Sequence, residues 1–335
     1  MYDKRNEIGG NIMTYEEKLQ QYKDWIFRRS AYQMALAIIG IDKQTVAPSA
    51  GAAYRDERSA YLAGELFSIE TDPAMVQLLK ELKDDPQIDG DNKRAVELYY
   101  KQAMDTMCIP KEEFVAYQKL RDESFDAWIK AKSQSDYSIF EPYLKKIIEV
   151  SKKMYRYRNS DKNLYDQMLD DYEPGMTQEK YDVFFAALKE RLVPLIQKIT
   201  QAKQKNEAFL HQEFPIEDQK KFMTQLLEYL HFDSSWGYQN ESEHPFTSWT
   251  CENDCRTTTK YVKNDVVSAV LSTVHEVGHA YYEHNVDPKY DGMILSEGIS
   301  SGMHESQSRL CENYLARTTA FWRYHYPKLQ EAFPT

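Results

Sequence analysis

Val274-His275-Glu276-Val277-Gly278-His279-Ala280 is the stretch around which the chain is read. On a helix, histidines four positions apart lie about 40° apart around the axis, so both imidazoles can face one ion. Glu276, turned about 100° from His275, is offset from the pair and can reach a water in the ion's open position, the placement of a general base. The preceding Asp265-Val266-Val267-Ser268-Ala269-Val270-Leu271 reads as a helix entry followed by an apolar face. Taken alone, the motif describes two buried, hydrogen-bonded histidines equally well, so the rest of the chain has to supply the context.

With 335 residues, the chain has ample length for a buried core, as one large domain or two merged ones. Lysine and arginine total 42 against 53 acidic residues, a formal charge of −11 that opposes phosphate-backbone binding. No nucleic-acid partner is expected. There is no run of eighteen apolar residues, and the charged start Met1-Tyr2-Asp3-Lys4-Arg5 leads into no apolar signal core. The expectation is therefore no membrane partner and, by default, a cytoplasmic location. Four cysteines do not make a disulfide framework in a chain this long. Cys251 and Cys255 with His275 and His279 give C-x3-C-x19-H-x3-H, but the gap exceeds finger spacing and a closed site has no task for Glu276. Reduced, packed thiols are the expectation.

Residues 1–12 read as a non-structural extension with Met13 as the natural start, and 13–335 as a single helical catalytic region. Thr14, with Glu16 and Glu17 behind it, caps a helical pattern running from Leu19 to Ile39, with a break at Gly40. A loop from Asp42 to Arg55 leads into a second helix, and Asp72-Pro73 opens a third. Amphipathic runs near 91–107, 111–132, 138–157 and 177–204 predict helix after helix, and the 25 tyrosines fall largely at packing positions. Another helix spans Ile216 to Leu230. The β-prone Thr257-Thr258-Thr259-Lys260-Tyr261-Val262 then predicts a small sheet just before the helix of the two histidines, which resembles the arrangement in gluzincin-type peptidases, where an edge strand beside the zinc helix can pair with extended substrate.

A catalytic zinc keeps three protein ligands and one open position. Glu283, Glu297, Glu305 and Glu312 are the acids downstream. Glu283 lies a turn beyond the histidines on the same face and is better placed to orient a ligand. Spacing does not choose between Glu297 and Glu305, but Ser301 and Gly302, one turn before Glu305, would let its helix pack tightly on the zinc helix. That favours Glu305.

His244-Pro245-Phe246, Asp254-x-Arg256-x-Thr258, His275-Glu276-x-x-His279 and His304-Glu305-Ser306-Gln307 follow one another in the chain. Together they resemble four ordered motifs of the thermostable (Taq-type) metallocarboxypeptidase family. The likeness runs from about Thr14 to the last residue, and Asp42, Thr45, Pro48, Gly51, Arg55 and the Asp171–Thr177 turn add to it. The resemblance implies a mainly α, elongated multi-helix metallopeptidase with a small β-sheet element by the zinc helix, a deep groove and a homodimer. It implies Zn2+, replaceable by Co2+, on His275, His279 and Glu305, with Glu276 as general base and peptides as substrates. His244 and Arg256 would be substrate-side elements, Arg256 toward the terminal carboxylate, unless Asp254 claims it in a structural ion pair. His304 would support a ligand rather than bind the ion.

The chain departs from the family pattern at Gly237-Tyr238 and Ala47-Pro48, where Gly-Arg and Met-Pro are usual. Two further family motifs, Ile-Arg-x-x-Ala-Asp and Gly-x-x-Gln-Asp-x-His-Trp, have no counterpart before Thr335, so the likeness implies an N-terminal portion truncated at its C-terminus. The activity expected is broad-specificity release of C-terminal residues. The alternatives are a weak or silent zinc-containing helical dimer that binds peptides, and an endo-acting oligopeptidase.

Overall fold

The computed structural model describes residues 13–158 and 160–334; the expected extension at 1–12 lies outside them. Among the described residues it holds twelve α-helices and one three-stranded sheet. Helix α1 (Tyr15–Thr45) starts on a capping box in which Thr14 and Glu17 satisfy each other's backbone N–H groups. It does not break at Gly40 as the sequence suggests, and runs on to Thr45. The reason is tertiary. A glycine costs a helix about 1 kcal/mol, but Lys43 in the following turn is anchored to Asp56 at 2.9 Å and Asp122 at 3.2 Å. Helices α2 (Ala52–Glu70), α3 (Pro73–Asp84) and α4 (Gly90–Thr106) complete the first core. Tyr22, Trp25, Leu79, Val96 and Tyr99 are buried there. Helix α3 opens with Asp72 as cap and Pro73 at its first position, where the missing N–H goes unmissed.

Helices α5 (Lys111–Gln134), α6 (Glu141–Tyr157) and α8 (Gln178–Gln201) follow close to the predicted runs, whereas α7 (Leu164–Tyr172) falls between two of them, where the sequence pattern predicts no run. In α8 no residue is buried among those described, although Val183, Phe184, Leu188, Leu192 and Ile196 give it a strongly apolar surface.

The second core carries the site. Helix α9 (Ile216–Tyr229) and the sheet pack around α10 (Val266–His284), followed by α11 (Ser301–Arg309), a π-helix (Leu310–Ala316) and α12 (Thr319–Ala332). Val270, Val274 and Val277 of α10 are wholly buried. At about 1.5–3 kcal/mol for each such side chain, this face fixes the rotation of α10 and thereby the direction of its histidines. The strands β1 (Gly237–Glu241), β2 (Thr247–Cys251) and β3 (Asp254–Thr259) lie in the order β1-β3-β2, with β1 parallel and β2 antiparallel to β3. The expected edge strand ahead of α10 is therefore the central strand, paired with β1 on one side and β2 on the other; the edges are β1 and β2.

Candidate functional site

Asp265 caps α10 by accepting the Ser268 N–H, and the helix then presents His275 and His279 one turn apart on its less buried face. Glu305, from α11, meets them. His275 Nε2 lies 3.6 Å from Glu305 Oε2, and His279 Nε2 lies 3.9 Å from Glu305 Oε1. One ligand atom from each residue falls within 4.8 Å of the others. Zinc bonds of about 2.0–2.1 Å in a tetrahedron put ligand atoms roughly 3.3–3.5 Å apart, so these three donors fit a small divalent ion after a slight inward adjustment. Glu297, the other returning acid, lines a neighbouring cavity but is not among the converging donors; its carboxylate lies 4.0 Å from Arg29.

The close approach of α11 to α10 does not come from Ser301 and Gly302. A Cβ on Gly302 would strike Glu173 Oε2 at 2.4 Å, because the Gly302 N–H donates to that carboxylate across from the end of α7. The contact that sets the interhelical distance is Gly278, where a Cβ would lie 2.8 Å from Ser308 Cα and 3.1 Å from the Gln307 carbonyl oxygen. The glycine between the two histidines is the seat of the second helix.

Each imidazole is held from behind. His275 Nδ1 lies 3.0 Å from Glu312 Oε2. His279 Nδ1 lies 2.6 Å from His304 Nδ1, and His304 Nε2 lies 2.5 Å from Glu283 Oε1. With the Glu283 carboxylate accepting from His304 Nε2–H, His304 Nδ1 becomes the acceptor for His279 Nδ1–H. The Nε2 lone pair of His279 is then directed at Glu305. Burial, followed by the neighbouring His304 and His275, pushes the His279 imidazole down to about 4, so it is neutral near pH 7, as a metal ligand must be. Among the acids weighed from sequence, Glu312 had no assigned role. Its place seven residues after Glu305, and so on the same helical face, was the available signal.

Glu276 is 6 % exposed, and its Oε2 accepts from the Thr247 hydroxyl at 2.7 Å. Burial raises its pKa, opposed by the Thr247 hydrogen bond and by His275. Thr247 belongs to β2, and sequence reasoning did not single it out; Trp249, two residues on, packs its ring against His304 at 5.4 Å. A cavity of about 380 Å³ opens beside these groups, lined by Tyr172, Trp249, His279, Ile299, His304 and Glu305 among others.

His244 and Arg256 stand apart from the histidine pair: among the described residues, no hydrogen bond or ion pair joins them to it. Arg256 is gripped by Asp254 at 2.7 and 2.8 Å, a bidentate pair that raises the arginine's pKa and lowers the aspartate's. His244 is exposed, its ring edge-on to Trp128. Both segments are nevertheless fastened to the site's scaffold. Thr258 Oγ1 accepts the Phe246 N–H at 2.9 Å and pairs with Ser242 Oγ at 2.6 Å, tying the His244-Pro245-Phe246 turn to β3. On the opposite face of β3, Cys255 and Thr259 meet α10 at the Ala280 and Ala269 carbonyls. All four cysteines are free, and Cys255 is buried.

A family model described as carboxypeptidase Taq (M32) metallopeptidase matches residues 21–335. The chain is 38% identical over 325 residues to carboxypeptidase 1 of Bacillus subtilis, covering 96% of this chain and 64% of that relative. The crystal structure of BsuCP superposes with a TM-score of 0.92 at 37% identity, over 95% of this chain and 64% of that one. The M32 carboxypeptidase of Deinococcus radiodurans gives a TM-score of 0.85 at 30% identity, over 95% and 64%. The chain thus spans just under two thirds of the relatives it matches. Among the described residues, no helix is long and apolar enough to cross a membrane.

Proposed function

Because the chain belongs to the carboxypeptidase Taq (M32) metallopeptidase family, we propose that it is a zinc carboxypeptidase, removing C-terminal residues from peptides with Glu276 as general base. The observation that carries this reading is the convergence of His275, His279 and Glu305, donors of the type and number a catalytic zinc requires. When bound, zinc supplies a lowered pKa to a water, toward about 7, and polarises the scissile carbonyl. Glu276 takes the proton of the attacking water at Oε1 while Thr247 holds Oε2 still. It then passes that proton to the leaving amine, and its raised pKa suits a group that must hold as well as take a proton. Extended substrate lies along the edge of β2, with the 380 Å³ cavity receiving a side chain.

The test is digestion of matched peptides with free and amidated C-termini. Stepwise shortening of the free peptide alone supports the proposal, and no cleavage by zinc-loaded protein refutes it. Glu276→Gln is expected to lose about 10²–10⁴-fold in kcat while retaining metal. Endo-cleavage is favoured by one observation: Asp254 already occupies the Nε edge of Arg256, leaving less of that arginine for a terminal carboxylate. Internal cuts in both peptides would establish that second reading.

A further inference from the structure

The π-helix Leu310–Ala316 sits directly behind His275, and the side chain it delivers there is Glu312. The Glu312 carboxylate is 8 % exposed and is engaged on both oxygens. Oε2 takes His275 Nδ1 at 3.0 Å and Arg309 Nη1 at 2.6 Å, and Oε1 takes Arg317 Nη2 at 2.5 Å. Two guanidinium groups therefore balance one buried carboxylate, which fixes its position without leaving an uncompensated charge in the interior. Arg309 reaches further, with its Nε 3.8 Å from Glu305 Oε2, so one guanidinium spans the carboxylate facing the histidines and the carboxylate behind them.

The widened turn is what allows this. In an α-helix, residues five apart are about 140° apart around the axis, and Arg317 would point away from Glu312. Here the Arg317 N–H bonds to the Glu312 carbonyl at 3.1 Å, the i→i+5 closure of a π turn, which brings the two residues onto one side. Leu310 to Ala316 thus trade regular hydrogen bonding for a clamp on a carboxylate that touches the metal-facing imidazole.

We propose that Glu312 is a positioning residue for the metal centre. Its ionised carboxylate holds the proton of His275 on Nδ1 and locks the ring, so that the Nε2 lone pair is aimed at the ion before the ion arrives. Arg309 and Arg317, through the π turn, keep Glu312 in place. The two histidines are supported by different means: His279 is backed by a second imidazole, His304, and His275 directly by a carboxylate. Of the two histidines, loss of Glu312 should therefore be felt at His275. The inference rests on the zinc reading above and adds a residue that neither touches the ion nor faces substrate.

The experiment uses the 335-residue protein with zinc alone and with cobalt alone, and needs no activity. Zinc affinity is measured by competition with a chromophoric chelator for wild type, Glu312→Gln and Glu312→Ala, and ligand geometry is read from the visible absorption bands of the Co2+ forms. Glu312→Gln keeps the shape and a hydrogen-bond acceptor, so it carries the test should Glu312→Ala fail to fold. The expected result is a 10- to 100-fold loss of zinc affinity in Glu312→Gln, with shifted or weakened cobalt bands. A purely structural carboxylate would lower thermal stability and leave both metal readouts as in wild type. Zinc affinity in Glu312→Gln within twofold of wild type, with unchanged cobalt bands, overturns the proposal. A wild-type protein that binds no zinc overturns the zinc reading itself, which separates the two failures.

Discussion

Gly278→Ala sets two magnitudes directly against each other. Alanine in a helix interior is favoured over glycine by about 1 kcal/mol, and Gly278 lies in the middle of α10, so local propensity predicts a gain. The packing predicts the opposite. The new Cβ would lie 2.8 Å from Ser308 Cα and 3.1 Å from both Cys311 Cβ and the Gln307 carbonyl oxygen. Two of these three atoms are backbone and cannot rotate aside, so α11 has to retreat. Reaching ordinary contact at about 3.4 Å takes a shift of roughly 0.6 Å, and overpacking of this kind costs about 1–3 kcal/mol. The net expectation is a loss of up to about 2 kcal/mol, with the helix gain already subtracted.

The functional cost is larger than the stability cost, because the retreating helix carries Glu305. Its oxygens now lie 3.6 and 3.9 Å from the two Nε2 atoms. Both are already slightly above the roughly 3.3–3.5 Å spacing of a tetrahedral zinc site, and a further 0.6 Å or so turns a small inward adjustment into a gap of about 1 Å. The assay is denaturant unfolding of the metal-free protein beside zinc titration of the folded one. Gly278→Ala should unfold at slightly lower denaturant and bind zinc at least tenfold more weakly. A variant that is as stable as wild type or more so, and binds zinc equally well, would refute the argument that the Gly278–Ser308 contact sets the ligand spacing.

Zinc at a thousandfold excess over its Kd should stabilise the protein by about 4 kcal/mol, and His279→Ala should abolish the shift in unfolding midpoint. His325 is 2 % exposed among Phe321, Tyr229 and Tyr324, and burial, with Lys328 adding to it, lowers its pKa from 6.5 to about 4. The unfolded chain then binds the extra proton between those values, so stability falls as pH drops from 6.5 to 4, by at most roughly 3 kcal/mol. Urea unfolding of His325→Phe should show a shallower acid loss, and an identical slope would remove His325 as its source. Arg29, 2 % exposed, donates to Glu70 at 2.8 Å and to Gln33 at 2.8 Å. Arg29→Met should cost about 3–5 kcal/mol by stranding the Glu70 carboxylate, and adding Glu70→Leu should restore much of it; equal losses in the single and double variants would contradict that.

What the sequence made legible was local. Runs predicted at 91–107 and 111–132 became Gly90–Thr106 and Lys111–Gln134, because apolar spacing and caps such as Asp89 act within a few residues. Gly40 misled for the same reason. Its propensity argues for a break, and only the distant Asp56 and Asp122, which anchor Lys43, show why the helix continues. The sheet shows the same limit: Thr257–Thr259 read correctly as strand, but a place at the centre rather than the edge depends on pairing with Gln239–Glu241, which no local pattern encodes.

Glu305 shows how a residue can be selected from a local pattern while the contact that brings it into place goes unread. Small residues one turn before it suggested tight packing on α10, and Glu305 does come to the histidines. Yet Gly302 packs on Glu173, and the tight contact is made from the opposite helix by Gly278. A glycine inside a motif of two histidines and a glutamate carries no mark of what it faces, since its contribution is an absent side chain and the meaning lies thirty residues away at Ser308. The same holds for Glu312, whose spacing from Glu305 was visible but whose partners Arg309 and Arg317 come together only through a π turn. The two histidines that would touch the ion follow a helical period and can be found by counting. The residues that fix distance and ring orientation act across a helix–helix contact, and their effect on metal binding has to be read from the packing.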